Sequence, residues 1–324
     1  MKKYIFALAS LALLALLLAG CGNGRSAGSE APLAEPRATA SASAEAAPSE
    51  AAEAEADPGM QDGERFEAVI TIEGMEEPVN YEHVRNDTIG FEMDYDYERF
   101  ERHSASDCER FISIWDDPAD PRNYLELRYN PRDAETVAAA VREALSQRYD
   151  LLVGTRELDR AGSCIRIEAS ELKGTGTMAD QLQVVYIIPA PDGCRIASAH
   201  FSAEAAEGFG RRISYFMNSF SVLAGQGEHR VTEEQALAAV RRYCHIGNPD
   251  LESIEKAGEY PVAWEVSSGD GQEIVVLFRS YTGAQIRYYI DPSSGDTYVT
   301  EFVPGISPEE TQIDKRLNVW DYSF

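Results

Sequence analysis

LQVVYIIPAPDGCRIASAHF, residues 182–201, is the stretch whose reading decides the fold. Residues 182–188 are an apolar run rich in β-branched and aromatic side chains, and residues 194–201 are a second. Between them Pro191, Asp192 and Gly193 have the chemistry of a tight turn, proline presetting φ and glycine accepting positive φ. Two strand-length runs joined that closely pair antiparallel. Upstream, Ile165, Ile167 and Ala169 alternate with Arg166 and Glu168, the period of a strand with one apolar face. Gly174, Thr175 and Gly176 lie between strand and strand, which makes them a hairpin loop. A phosphate cradle needs a helix to start after the glycines, and none follows.

Working outward, the same period recurs. Phe91, Met93 and Tyr95 alternate with Glu92, Asp94 and Asp96, and these carboxylates are expected on the solvated face of an edge strand. Ile112 and Ile114 lead to Trp115, and Leu125, Leu127 and Tyr129 alternate with Glu126 and Arg128. A helix is expected to open near Asp133, because Val137, Val141, Ala144 and Leu145 recur at helical spacing while Arg142 and Glu143 face away. A second helix places Ile213, Phe216, Met217 and Phe220 on one face. The fold class is therefore α+β over residues 64–224, an antiparallel sheet with helices packed on it. That element order, with the early strand Gly90-Phe91-Glu92-Met93, resembles the PsbP-like fold over about residues 81–223 and implies an alpha-beta-alpha sandwich. Asp96 and Tyr97 stand where that family often has proline and tryptophan, so no ligand site is transferred.

A polar stretch at residues 225–230 leads to a second unit, residues 230–324. Thr232 followed by Gln235 forms a capping box, and the helix after it carries Leu237, Val240 and Cys244 on one face. Beyond Asn248 and Pro249, strands are expected at 262–266, 274–278, 286–290 and 298–303, joined by turns rich in glycine, serine and aspartate. The Glu-Glu-Gln-Ala opening of the helix, and Tyr289-Ile290-Asp291 leading through Ser294-Gly295-Asp296 into another strand, resemble a PepSY-type domain over about residues 230–305. The resemblance implies a small helix-plus-β-meander domain with a protein-binding or inhibitory role, and it implies no catalytic residue. Among Trp264, Tyr288, Tyr289, Tyr298 and Phe302, some are expected in the core of this unit and the rest on a binding face.

The amino-terminal segment has a different character. Lys2 and Lys3 precede an apolar run at residues 4–19, and Leu18, Ala19 and Gly20 precede Cys21. Basic residues that stay on the cytoplasmic side, an apolar run and small residues before a cysteine read as a lipoprotein signal peptide over residues 1–20. The thiol of Cys21 is the nucleophile expected to take a diacylglycerol, holding the chain at the extracytoplasmic face of the cell membrane. At about 0.8 kcal/mol per buried methylene, two acyl chains hold durably where one binds only marginally. Residues 21–63 are mostly alanine, serine, glutamate and proline, too poor in apolar surface to fold, and read as a disordered tether of about 35 Å mean reach.

Composition narrows the partners. There are 29 basic and 55 acidic residues, a net charge of −26 that becomes −28 when Lys2 and Lys3 leave with the signal. No nucleic acid is expected as a ligand, because a phosphate backbone needs neutralising lysine and arginine and the field here repels it. Besides Cys21, the cysteines are Cys108, Cys164, Cys194 and Cys244, which allow three pairings in an oxidising compartment. Cys164 and Cys194 fall in strands of one sheet and are the pair to test; the other reading is buried thiols.

No metal or other cofactor is expected. Asp116, Asp117 and Asp120 offer oxygen ligands in one loop, but without the remaining ligands and central glycine of a calcium loop they read as a solvated turn. His83, His103, His200, His229 and His245 are scattered without metalloprotease spacing, and no Gly-x-Ser-x-Gly pentapeptide occurs. No catalytic residue is assigned. The leading expectation is a non-catalytic envelope lipoprotein that binds a protein, peptide or wall component. The alternatives are an envelope hydrolase with residues gathered from distant loops, and a regulator or inhibitor of a secreted peptidase.

Overall fold

The computed structural model describes residues 59–72, 74–223, 229–258, 261–268 and 273–324. Cys21, the expected signal peptide and residues 21–58 of the expected tether lie outside the described residues. Every strand pairing among the described residues is antiparallel, so the chain is mixed α and β.

The hairpin at residues 182–201 sits within the largest sheet. Seven strands run in the order β4 (Phe100–Ser104), β5 (Cys108–Ser113), β6 (Tyr124–Asn130), β10 (Gly193–Ser202), β9 (Thr177–Ala190), β8 (Gly162–Leu172) and β7 (Tyr149–Leu158). Val185, Ile187, Cys194 and Ile196 point to one face, where α1 (Ala134–Leu145) covers them with Val137 and Val141. The Asp133 side chain caps that helix by accepting from the Thr136 amide. Val184, Tyr186, Ile188, Ala197 and Ala199 point to the other face, toward α2 (Ala206–Ser219). Both faces are covered, which explains apolar runs without clean alternation.

A second sheet, β1 (Arg65–Ile72), β2 (Met75–Asn86), β3 (Phe91–Asp96) and the short β11 (Ser221–Val222), lies across α2 from the first and shares its core through Tyr81, Phe91 and Met93. Asp94 and Asp96 are not on a solvated edge as expected. β3 lies between β2 and β11, and the two carboxylates are 6% and 1% exposed against α2. Arg212 of α2 pairs with Asp96 at 3.0 Å, and Asp94 bonds His83 at 2.7 Å. Burying such charges is tolerated only because each is paired. Arg195, fully buried, locks the two sheets together by donating to Asp192, to the Gly90 carbonyl at 3.0 Å and to the Leu223 carbonyl at 3.2 Å. Gly90 has φ 79°, and a β-carbon there would fall on that guanidinium.

The third sheet runs β12 (Ala263–Ser268), β13 (Ile274–Arg279), β14 (Gln285–Ile290), β15 (Asp296–Phe302) and β16 (Thr311–Asn318). α3 (Glu233–Gly247), with its capping box in place, and α4 (Asp250–Ala257) contribute Ala236, Val240 and Leu251 to its core with Val276, Tyr288, Ile290 and Val299. A 3-10 turn, Val319–Tyr322, ties this unit to the seven-stranded sheet. Asn130 donates to the Trp320 carbonyl at 2.6 Å, Arg132 pairs with Asp321 at 3.1 Å, and Phe324 is buried beside Val137 and Val141 of α1.

Candidate functional site

The seven-stranded sheet and α2 do not close on each other along their whole length, and they leave a cleft of about 330 Å³. Val184 and Tyr186 of β9 and Ala199 and Phe201 of β10 form its floor; Ala206, Gly210 and Ile213 of α2 form a wall. Ala206 and Gly210 are one helical turn apart and present almost no side chain, so the helix stands over Phe201 without filling the space. A β-carbon on Gly210 would meet the Phe201 ring at 3.7 Å, an ordinary contact. Met178, 56% exposed, lies among the lining groups.

The other end of the cleft is polar. Arg166 and Glu168, adjacent on one face of β8, form an ion pair at 2.8 Å. Burial opposes the Arg166 charge, but hydrogen bonding to Tyr186 and Glu168 outweighs that and holds the guanidinium above its ordinary pKa. Arg156 of β7 donates to the Tyr186 hydroxyl at 3.2 Å, to Ser214 Oγ at 3.3 Å and to Asn218 Oδ1 at 2.9 Å, fixing α2 to the sheet. The arrangement suits an apolar group with a hydrogen-bonding end. Arg166 and Glu168 alternate with isoleucines, and that period alone places them on a polar outer face; the sequence has no sign that α2 returns to cover it.

The residues singled out in the sequence are placed elsewhere. Cys164 and Cys194 are both free thiols and do not meet. Cys164 faces the α2 side and Cys194 the α1 side, with β9 between their strands. Two strand spacings put their backbones about 10 Å apart, beyond the reach of about 7 Å that a disulfide allows. Burial pushes the thiols of Cys108, Cys194 and Cys244 up to about 11, 12 and 11, and raises that of Cys164, so these sulfurs are poor nucleophiles at neutral pH. Asp116 accepts from the amides of Arg122 and Asn123 and Asp117 from the amide of Ala119, carboxylates used to shape the turn between β5 and β6. Among the described residues no cluster of three histidine, cysteine or carboxylate groups is placed to hold a metal ion.

His83 and Asp94 form a buried histidine–carboxylate pair, Nδ1 to Oδ1 at 2.7 Å, but no group among the described residues bonds Nε2, and the Glu92 carboxylate is 3.9 Å from it. Ser219, which also touches this pair, accepts from the Asp94 amide and donates to the Phe216 carbonyl. Of the aromatic residues in the last sheet, Tyr288 is core and Trp264 packs against it, whereas Tyr289 and Tyr298 stack on the opposite face.

No known family and no curated protein matches the sequence. Among solved structures, the solution structure of cyanobacterial PsbP (CyanoP) from Synechocystis is similar with TM-score 0.32 and 9% identity, over 44% of this chain and 92% of that one. A crystal structure from Bacteroides thetaiotaomicron is similar with TM-score 0.29 and 9% identity, over 81% and 91%. At these TM-scores neither likeness assigns a family or a function.

Proposed function

We propose that this chain is a lipid-anchored, extracytoplasmic binding module that acts by contact and takes an apolar group of a protein, peptide or wall ligand into the cleft beneath α2. In this reading Cys21 carries the diacylglycerol, residues 21–63 hold the folded part off the membrane, a PsbP-like sandwich presents the cleft, and a PepSY-like unit follows. The observation that carries it is the cleft itself, with an apolar floor and a polar end formed by Arg166, Glu168 and Ser214. No histidine or thiol lines it. A hydrolase would need a nucleophile and a base bonded to each other, whereas here the Ser214 hydroxyl donates to the Gly210 carbonyl and Glu168 pairs with Arg166.

The test fills the cleft from the helix side. N-phenylnaphthylamine, a neutral apolar dye that brightens when shielded from water, is titrated into the chain lacking its first 21 residues. Saturable binding is expected, with Gly210→Leu weakening it by roughly tenfold, which corresponds to about 1.4 kcal/mol. Equal binding by wild type and Gly210→Leu would remove the cleft from the proposal. The anchor is tested separately in cells of the source organism, where Cys21→Ser should abolish incorporation of labelled palmitate and release the chain from the membrane fraction.

A further inference from the structure

A second surface feature, distinct from the cleft, lies on the C-terminal sheet. α3 and α4 cover one face of that sheet, and on the opposite face Tyr289 of β14 and Tyr298 of β15 are cross-strand partners with rings 4.7 Å apart and 4° from parallel. Each phenol donates to a carboxylate. Tyr289 bonds Glu310 at 3.0 Å and Tyr298 bonds Glu273 at 3.4 Å. A phenol that donates to an anion gains electron density in its ring, which favours a cation over the face. Glu310 is fully engaged, since Arg287 at 2.8 Å and the Thr300 hydroxyl also bond it.

Beside the pair is a hollow of about 330 Å³ lined by both tyrosines, Glu273, Asp291, Asp296 and Arg316. Three carboxylates therefore share it with one guanidinium. Arg316, the cross-strand neighbour of Tyr298, is exposed and makes no ion pair among the described residues, and three carboxylates against its one charge leave the hollow with a net negative charge. The net charge of −26 adds long-range attraction for cations.

We propose that this face binds a basic peptide segment, seating a lysine or arginine side chain against the Tyr289 and Tyr298 rings and within reach of Glu273. The occupant is argued from charge complementarity: an aromatic wall and a carboxylate excess favour an organic cation, and the volume exceeds that of a single ammonium group.

The probe is an N-acetylated, C-amidated lysine tetrapeptide, titrated by isothermal calorimetry at low ionic strength into the chain lacking its first 21 residues. Saturable binding is expected. Glu273→Gln and Tyr298→Leu should each weaken it by roughly three- to tenfold, Tyr298→Phe should retain most of it, and Arg316→Gln should tighten it by removing the competing cation. Glu67→Gln, on exposed β1, changes net charge by the same amount and should leave binding unchanged. The assignment fails if Glu67→Gln costs as much as Glu273→Gln, if Tyr298→Leu binds like wild type while circular dichroism shows both folded, or if Arg316→Gln fails to tighten. Stronger binding of a glucosamine trimer than of the peptide would overturn the occupant. The cleft beneath α2 enters none of these measurements, so either site can fail without the other.

Discussion

Acid is felt at His200 before it is felt at Glu126. It stacks on Tyr124 with ring centroids 4.5 Å apart, and burial holds its imidazole neutral by lowering the pKa from 6.5 to about 4. The unfolded chain takes up this proton as pH falls through 6.5, while the folded chain refuses it until about 4, so stability drops across that window. Discounted for its partial exposure, the loss is on the order of 2 kcal/mol. Glu126 acts lower. Burial alone would raise its pKa, but Arg128 and Arg110 outweigh burial and hold it at about 2, so its contribution is complete above 4.5 and lost below. Denaturant midpoints should therefore fall between pH 7 and pH 5, and His200→Gln should remove at least half of that fall; an identical fall in the variant would assign the acid sensitivity to other groups. The strand holding His200 is legible in residues 194–201, but the burial of its side chain is not. Arg242, whose positive charge helps keep this imidazole neutral, arrives from α3, much later in the chain.

At the scale of elements, helix α2 shows what pattern does and does not convey. Ile213, Phe216 and Met217 repeat at helical spacing and are all buried, as the sequence leads one to expect. Gly210 interrupts the same helix, costing about 0.5–1 kcal/mol relative to alanine. Gly210→Ala should raise the thermal midpoint by about 2 °C, the new methyl resting at contact distance from Phe201; a lowered midpoint would show that the helix needs the gap for packing. The strands at 182–201 and the first four of the last sheet are legible because apolar positions recur in each. β2 is not, because its twelve residues MEEPVNYEHVRN carry charge on both faces and are buried by ion pairs as much as by apolar contact. β16 is a largely exposed edge strand with a bulge against β15, and α4 is too short for its period to register. The cleft escapes a sequence reading for the same reason as β2: Arg166 and Glu168 look solvated until α2 is placed over them.

For the whole molecule, the described residues fall in one compact unit that spans all three sheets. The linkage joins the C-terminal sheet to the rest by the buried Asn130 bond and Phe324 and by the partly exposed Arg132 pair with Asp321 of the turn Val319–Tyr322. Calorimetry on the chain lacking its first 21 residues should show a single endotherm whose calorimetric and van't Hoff enthalpies agree. Asn130→Ala combined with Phe324→Ala should split or broaden it, and two resolved endotherms in the wild type would mean that the halves melt independently. Gly295 carries this coupling one step further. It adopts φ 75°, and a β-carbon on it would strike the indole of Trp320, the residue whose carbonyl Asn130 holds. The two halves are consequently not interchangeable parts: a chimera that borrowed its carboxyl half from another protein would need that bare turn and that indole together before it could seat.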